Sequence, residues 1–167
     1  WFREAIFRYI WTGVPQMGGT LRVLDLGAGT GYFMLICRHM RHQVLGLDLD
    51  TEPLYNDCFE FFKLPRIAHR IRPMERLPDL PGPFDLITAF MTCFDVHDDG
   101  RPWGGQTWQF FLGDVRSMLA PGGRVIVRFN ANRKTGEFYS REARRTMEQC
   151  AGFNARFFLH YAFLRAV

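Results

Sequence analysis

Three glycines at alternate positions, Gly27, Gly29 and Gly31, follow an apolar run that contains an acid, Asp25. Glycine lets a backbone bend where a Cβ would clash, and it lets a ligand approach the main chain closely. A helix-like sequence begins directly after the third glycine, and a second acid, Asp48, ends the next apolar run. This pattern predicts a strand, a tight turn and a helix N-terminus that together hold a small nucleoside-bearing cofactor.

The spacing of the glycines distinguishes this turn from the one in dinucleotide-binding proteins. Those proteins use G-x-G-x-x-G, and the pyrophosphate sits on the N-terminus of the helix. Here the spacing is G-x-G-x-G, and Asp25 would place a negative charge at the turn. That charge is unfavourable for a pyrophosphate and favourable for an ammonium or sulfonium group. An NAD(P)-binding Rossmann oxidoreductase is therefore the disfavoured alternative.

From about residue 20 to residue 167 the chain resembles the class I S-adenosylmethionine-dependent methyltransferases. Residues 24–31, Leu-Asp-Leu-Gly-Ala-Gly-Thr-Gly, are similar to the first motif of that family. Residues 84–87 resemble its fourth strand, and Ala-Pro-Gly-Gly at residues 120–123 resembles the turn before its fifth strand. The resemblance implies that S-adenosyl-L-methionine is the cofactor and that S-adenosyl-L-homocysteine is the product.

The resemblance also implies roles for individual residues. Asp25 would act on the amino end of the cofactor, and Asp48 would bind both ribose hydroxyls, since a carboxylate can accept two O–H donors. Asp50 is the alternative for the ribose. Pro73 stands where the family often has an acid that reads adenine, so the backbone of Met74 and apolar packing are expected to hold the adenine, unless Met74 is ordinary core. The complete set of expected cofactor-binding residues is Asp25, Gly27, Ala28, Gly29, Gly31, Asp48, Leu49, Met74 and Phe90.

His97 is the candidate catalytic residue. Methyl transfer from a sulfonium is an in-line displacement, and a base is needed only if the acceptor must lose a proton. His97 lies just past the fourth predicted strand, and Asp95, Asp98 or Asp99 could orient its ring. The alternatives are a solvent-exposed polar loop and an oxygen-rich cation site, although no metal is predicted.

The expected acceptor is a small molecule or metabolite. Arg128, Asn130 and Asn132 follow the fifth predicted strand and could recognise a carboxylate or a sugar-like group. Trp103 could wall an acceptor pocket, whereas Trp108 is expected on the buried face of a helix. The chain lacks Asn-Pro-Pro-Tyr after the fourth strand, which argues against methylation of exocyclic amines on nucleobases. A non-catalytic methyltransferase-like binding protein remains an alternative, because methyl transfer requires no obligatory catalytic residue.

The scaffold that positions these residues is predicted from alternating strand and helix patterns. The fold class is α/β: a Rossmann-like, doubly wound, mainly parallel sheet of about six or seven strands, flanked by helices in a three-layer sandwich. Residues 1–167 are expected to form a single methyltransferase domain that begins with a lead-in helix and loop at 1–20, with truncation at either end left open. Strands are predicted at 22–26, 43–47, 67–71, 84–90, 124–129 and 155–165, and helices at 1–12, 31–40, 52–62, 106–119 and 140–150.

Composition limits the remaining function classes. The 167 residues are 47% hydrophobic and carry a net charge of +4, and no apolar run is long enough to span a membrane. The four cysteines form no CxxC pair, which fits a reducing, cytoplasmic compartment. A basic run could bind phosphate, but no RNA-binding module is evident, so nucleic acid is an unlikely partner and an RNA methyltransferase is the more remote alternative. The basic run comprises Arg133, Lys134, Arg141, Arg144 and Arg145.

Overall fold

A computed structural model describes residues 1–91, 93–97, 99–132 and 136–167. Within these residues, seven strands form one sheet in the order β3-β2-β1-β4-β5-β7-β6. The first five strands are parallel to their neighbours, and the last two are antiparallel. The strands are β1 (Arg22–Leu26), β2 (Gln43–Asp48), β3 (Arg66–Ala68), β4 (Phe84–Phe90), β5 (Leu119–Arg128), β6 (Phe153–Phe158) and β7 (Tyr161–Ala166).

Helices cover both faces of the sheet. Alternate residues of a strand point to opposite faces, and the two sets pack against different helices. Leu86 of β4 packs with α1 and α2, whereas Ile87 packs with α4 and α5. The third helix, α3, packs through Phe59 against Met34 of α2. This arrangement confirms the predicted three-layer fold. The helices are α1 (Phe2–Trp11), α2 (Tyr32–His39), α3 (Pro53–Phe62), α4 (Gly105–Ser117) and α5 (Arg141–Glu148).

The C-terminal strand prediction is wrong, because residues 155–165 are not one strand. The chain reverses at Leu159, whose φ is +51°, and β6 and β7 pair as an antiparallel hairpin. No glycine or proline marks this turn in the sequence. The sheet therefore closes with the antiparallel pair that a single terminal strand would have lacked.

Two other boundaries differ from the prediction. The third strand is shorter and earlier than predicted, ending at Ala68, so residues 69–83 connect β3 to β4 without a helix. The predicted turn at 120–123 belongs to β5, and the pairing of β5 with β4 shifts register there. None of the helices among the described residues is long and apolar enough to cross a membrane.

The N-terminal helix is fixed to the sheet by a buried histidine. The Tyr9 hydroxyl of α1 lies 2.9 Å from His42 Nε2, and His42 Nδ1 accepts a hydrogen bond from the Leu21 N–H at 3.1 Å. Because the backbone N–H requires an acceptor at Nδ1, the imidazole proton is on Nε2 and points toward Tyr9. These bonds join α1 to the residues that directly precede β1 and β2.

Candidate functional site

A cavity of about 600 Å³ lies at the carboxyl ends of β1, β2 and β4. This is where ligands bind in open α/β sheets, and the volume falls within the range of small-molecule sites. Eight of the ten residues predicted for cofactor binding or catalysis line it. They are Asp25, Gly27, Ala28, Gly29, Asp48, Leu49, Phe90 and His97.

The turn after β1 needs glycine at each alternate position. Gly27, Gly29 and Gly31 have φ values of +68°, +57° and +71°, a region that side chains other than glycine rarely adopt. The Gly27 N–H donates to the carbonyl of Leu47 at 2.7 Å, which ties the turn to β2. Gly31 is the N-cap of α2, and a Cβ there would lie 2.7 Å from Leu64 Cδ1. Gly31 therefore serves the packing of the turn and does not line the cavity.

Asp48 joins the ends of β1 and β2. Its Oδ1 accepts the N–H of Leu49 at 2.6 Å, and its Oδ2 accepts the N–H of Gly29 in the glycine turn. The carboxylate thus faces the cavity with both oxygens oriented by backbone donors. The alternative acid, Asp50, is exposed and is not among the lining residues, so the geometry favours Asp48 over Asp50.

Asp25 is a buried carboxyl in the wall of the cavity, with only 3% of its surface exposed. It pairs with Thr88 across β1 and β4, and the Thr88 hydroxyl donates to its Oδ1 at 2.6 Å. Burial raises the pKa of Asp25 to about 7, although the Thr88 hydrogen bond and the charge of Arg8 oppose that rise. A ligand cation placed beside it would favour the ionised form.

The predicted adenine contact at Met74 is not a side-chain contact with the cavity. The Met74 side chain is 54% exposed, its φ is +61°, and it lies outside the lining. The residues that precede Met74 in the connection from β3 do line the cavity and form one of its walls. This wall comprises His69, Arg70, Ile71, Arg72 and Pro73, and Tyr55 of α3 completes it.

His97 lies in a tight turn at the other side of the cavity. Its N–H donates to the carbonyl of Arg101 at 2.8 Å, and its half-buried side chain lines the cavity. Asp99 is bound to Arg101 at 2.6 Å, and hydrogen bonds from Arg101 lower the pKa of Asp99. Burial raises the pKa of Asp95 to about 6.

The described part of the chain gives no support to the alternative of a cation site near His97. No group of three or more His, Cys, Asp or Glu side chains there could hold a metal ion. Asp98, which the sequence analysis named as a group that could orient the His97 ring, lies outside the described residues.

The sequence suggested a solvent-exposed polar loop after β4, but Trp103 of this segment is buried. Trp103 is only 1% exposed and packs in the core on the side of the sheet that α4 and α5 cover. Its ring lies 5.3 Å from that of Trp108 and 5.5 Å from that of Phe111. Neither tryptophan lines the cavity. Trp108 is in the core, as predicted, and Trp103 joins it there.

Two residues at or beside the cavity were missed by the sequence analysis. Arg8 of α1 reaches the cavity, and its guanidinium lies 5.4 Å from the centroid of the Phe90 ring. Nothing in the helical pattern of α1 distinguishes Arg8 from a solvated residue. Thr88 did carry a signal, because it is the polar residue in the apolar run Leu-Ile-Thr-Ala-Phe of β4.

The polar residues at the end of β5 and just after it make different contacts. Arg128 pairs with Phe90 of β4 and with Tyr161 of β7, and its guanidinium lies 5.8 Å from the Tyr161 ring centroid. Asn130 donates from Nδ2 to the carbonyl of Met91 at 2.8 Å, which holds the chain that follows β4. Asn132 accepts the Gly136 N–H through its backbone carbonyl at 2.8 Å.

The basic run is only partly described. Arg133 and Lys134 lie outside the described residues. Arg144 is paired with Glu148 at 2.8 Å, which is the ordinary i,i+4 contact of an exposed helix.

Solved structures of similar fold come from several bacteria. A 1,6-didemethyltoxoflavin N1-methyltransferase from Burkholderia thailandensis, with bound 1,6-didemethyltoxoflavin and S-adenosylhomocysteine, is 20% identical; the match covers 99% of this chain and 78% of that chain, with a TM-score of 0.64. An S-adenosylmethionine-bound amino pentose methyltransferase from Micromonospora echinaspora is 16% identical; the match covers 100% and 92%, with a TM-score of 0.69.

A third solved structure, magnesium protoporphyrin IX methyltransferase from Synechocystis with bound S-adenosylhomocysteine, is 13% identical; the match covers 99% of this chain and 82% of that chain, with a TM-score of 0.63. At these identities the likeness establishes a common fold. No curated protein sequence matches this chain.

The sequence itself matches a family model described as a methyltransferase domain over residues 2–161. That span includes the glycine turn, both acids of the cavity and every strand through β6. The chain therefore belongs to the methyltransferase-domain family and has the Rossmann-like fold of the class I S-adenosylmethionine-dependent enzymes.

Proposed function

We propose that this chain transfers the methyl group of S-adenosylmethionine to a small-molecule acceptor. The observation that carries the proposal is the placement of two carboxyl groups, Asp25 and Asp48, beside a turn of positive-φ glycines in one open cavity. The named substrates of the similar structures, a toxoflavin precursor, an amino pentose and a porphyrin, are small molecules and support the acceptor class.

In the proposed complex the cofactor lies across the ends of β1 and β2. The turn at Gly27 and Gly29 lies against the methionine part, where the absence of side chains allows close approach. Asp25 faces the amino group as its counter-charge, and the free lone pairs of Asp48 accept the ribose hydroxyls. The adenine lies toward the chain that follows β3, against Ile71 and Pro73.

The bound cofactor supplies the reactive carbon as a sulfonium methyl group, so the protein positions the acceptor and excludes water. Phe90 contributes an apolar wall at the end of β4, and its ring is fixed by Phe33 at a centroid distance of 4.8 Å. His97 is proposed to take the proton of an acceptor hydroxyl or amine, since its side chain lines the same cavity.

Calorimetric titration with S-adenosylhomocysteine tests the cofactor site. Asp48→Ala removes the acceptor of two backbone N–H groups and of the ribose hydroxyls, so cofactor binding should weaken by about 1.5–3 kcal/mol, as for hydrogen bonds to a charged group. Asp50→Ala is the matched control, because the exposed Asp50 lies two residues away and does not line the cavity.

The proposed cofactor site is wrong if wild-type protein binds NADH and not S-adenosylhomocysteine. It also fails for Asp48 if Asp50→Ala weakens binding and Asp48→Ala does not. Asp48→Asn, which keeps the size of the side chain, separates a binding defect from a folding defect.

Activity is tested separately from binding. Protein incubated with methyl-labelled S-adenosylmethionine and a small-molecule extract should release S-adenosylhomocysteine and place the label on a small molecule. Tight cofactor binding without any transfer to small molecules would instead favour the non-catalytic binding protein.

A further inference from the structure

Two arginines meet two aromatic rings where β4, β5 and β7 lie side by side. Arg8 of α1 lies over Phe90, and Arg128 of β5 lies over Tyr161 of β7. Phe90, Arg128 and Tyr161 are register partners on neighbouring strands, so their side chains are adjacent on one face. We call Arg8, Phe90, Arg128 and Tyr161 the arginine cluster.

Several N–H groups of the arginine cluster lack hydrogen-bond acceptors, although Arg8 Nη2 donates to Met91 Sδ at 3.3 Å. Among the described residues, four buried side-chain nitrogen or oxygen atoms have no partner, and three of them are Arg8 Nε, Arg128 Nε and Arg128 Nη1. A buried N–H without an acceptor is costly, and buried polar groups in native proteins are nearly always satisfied. The concentration of such atoms in two neighbouring side chains points to a missing acceptor.

The charges of the arginine cluster are also poorly matched. Arg8 approaches Glu4 at 3.8 Å, but the Glu4 side chain is 55% exposed. None of the ion pairs in the described part of the chain includes Arg128. Burial lowers the pKa of Arg8, and the charge of Arg128 adds to that effect. The two positively charged guanidinium groups therefore repel each other, and burial removes part of the water that would screen them.

Tyr161 does not supply the missing negative charge. Burial raises the pKa of its hydroxyl, so the ring remains neutral at physiological pH. The neighbouring acid, Asp25, has a raised pKa of about 7 and already accepts the Thr88 hydroxyl. An anion from outside the chain would complete the cluster.

The scaffold holds the arginine cluster in place before any ligand arrives. The Tyr9–His42 contact fixes α1 and thereby the origin of Arg8, and Arg128 extends from β5, between β4 and β7. Arg8 lines the same cavity as Asp25 and Gly27. Phe90 also lines it, whereas Arg128 and Tyr161 are not among the lining residues. An anion bound to Arg8 at this wall would therefore lie next to the proposed position of the cofactor.

We propose that the arginine cluster binds a carboxylate or phosphate group of the methyl acceptor, so that the substrates are small anionic molecules. The planar guanidinium matches the two oxygens of such a group and can donate two parallel hydrogen bonds to it. This inference rests on the proposed methyl-transfer function. The methionine part of the cofactor also carries a carboxylate, so the experiment is made on protein already saturated with S-adenosylhomocysteine.

The probes are benzoate and inorganic phosphate, with benzamide as the neutral match for benzoate. In calorimetry on the saturated wild type, at least one of the two anions should bind. If benzoate is the anion that binds, its affinity should exceed that of benzamide by about tenfold or more. Arg128→Gln should weaken anion binding by about tenfold or more while leaving the affinity for S-adenosylhomocysteine within about twofold. Arg145→Gln, which removes an exposed arginine of α5, is the matched control and should bind anions as the wild type does.

Three results would overturn the inference. One is that neither anion binds the saturated wild type, and another is that Arg128→Gln binds the anions as well as the wild type does. The third is a tenfold loss of S-adenosylhomocysteine affinity in Arg128→Gln, which would assign the arginine to the cofactor. If S-adenosylhomocysteine does not bind the wild type at all, the proposed function fails. The titrations with benzoate, phosphate and benzamide are then made on the unliganded protein.

Arg128→Met separates a binding role from a structural one. Since the variant removes an unpaired buried charge, the unliganded protein should be at least as stable toward urea as the wild type. Phosphate should stabilise the wild type and not the variant. A clear loss of stability in the unliganded variant would show that Arg128 supports the fold, and the inference would be withdrawn.

Discussion

The buried carboxyl of Asp25 makes cofactor affinity depend on pH in a direction that the structure fixes. Burial raises its pKa to about 7, so below neutral pH the unliganded protein holds a proton there. In the proposed complex the ammonium group of the cofactor lies beside Asp25 and favours the carboxylate, so binding should release that proton. The affinity for S-adenosylhomocysteine should therefore rise with pH up to about 7 and then level off.

The size of the effect follows from the protonated fraction. With a pKa of about 7, the ionised share of Asp25 rises about 15-fold between roughly pH 5.5 and 7.0, which corresponds to about 1.6 kcal/mol in binding free energy. Asp25→Asn keeps the size of the side chain and an acceptor for the Thr88 hydroxyl but has no proton to lose. Its affinity should be lower than that of the wild type at neutral pH and should not show this 15-fold change.

Calorimetry in buffers of different ionisation enthalpy measures the affinity and the released proton together. The variant is essential, because comparison with it isolates the contribution of Asp25 from that of the other groups that line the cavity. The reasoning is refuted if wild type and Asp25→Asn show the same pH dependence, or if the wild type releases no proton on binding at acidic pH.

The unliganded protein provides an independent check of the same carboxyl. The pKa of Asp25 is raised from 3.8 to about 7 in the folded state, so the folded protein binds more protons than the unfolded chain between these values. Stability should therefore fall as pH rises through this window, by about 4 kcal/mol from this group at full effect. Urea unfolding of wild type and Asp25→Asn should diverge toward neutral pH, with the variant the more stable, and identical pH profiles would contradict the burial of Asp25.

Two further predictions concern the turn and the candidate base. Gly31→Ala should lower the free energy of unfolding by about 1–3 kcal/mol more than Gly122→Ala, because the two glycines have nearly equal φ but only Gly31 would place a Cβ against Leu64; equal losses in urea unfolding would show that the backbone angle alone matters. His97→Ala should lower kcat by about 100-fold or more if His97 is the general base, measured with the acceptor identified in the transfer assay, and near-normal turnover would remove it from the mechanism.

The cofactor side of the site could be anticipated because its chemistry is local in sequence. The glycine spacing after β1 requires positive φ angles, and all three glycines have them. Asp48 ends its strand, and parallel strands bring their carboxyl ends to one edge, so the sequence predicted its position in the cavity. The pairing of Asp25 with Thr88 depends on strand register and could not be predicted from spacing.

The other side of the cavity could not be predicted in this way. Arg8 enters from a helix about eighty residues before the loop that follows β4, and only tertiary packing brings it to Phe90. The hairpin at Leu159 was missed because a non-glycine residue adopts the positive φ there. The position of Trp103 was left open because its neighbours in sequence are polar, and hydrophobic burial takes the ring into the core.

The central claim, that the cavity holds S-adenosylmethionine beside the glycine turn, is tested most directly by a crystal structure with bound S-adenosylhomocysteine. The account predicts the methionine part against Gly27 and Gly29, the amino group facing Asp25 and both ribose hydroxyls on Asp48. Density for the ligand outside this cavity, or a ribose bound to Asp50 with Asp48 still joined only to the backbone, would contradict it.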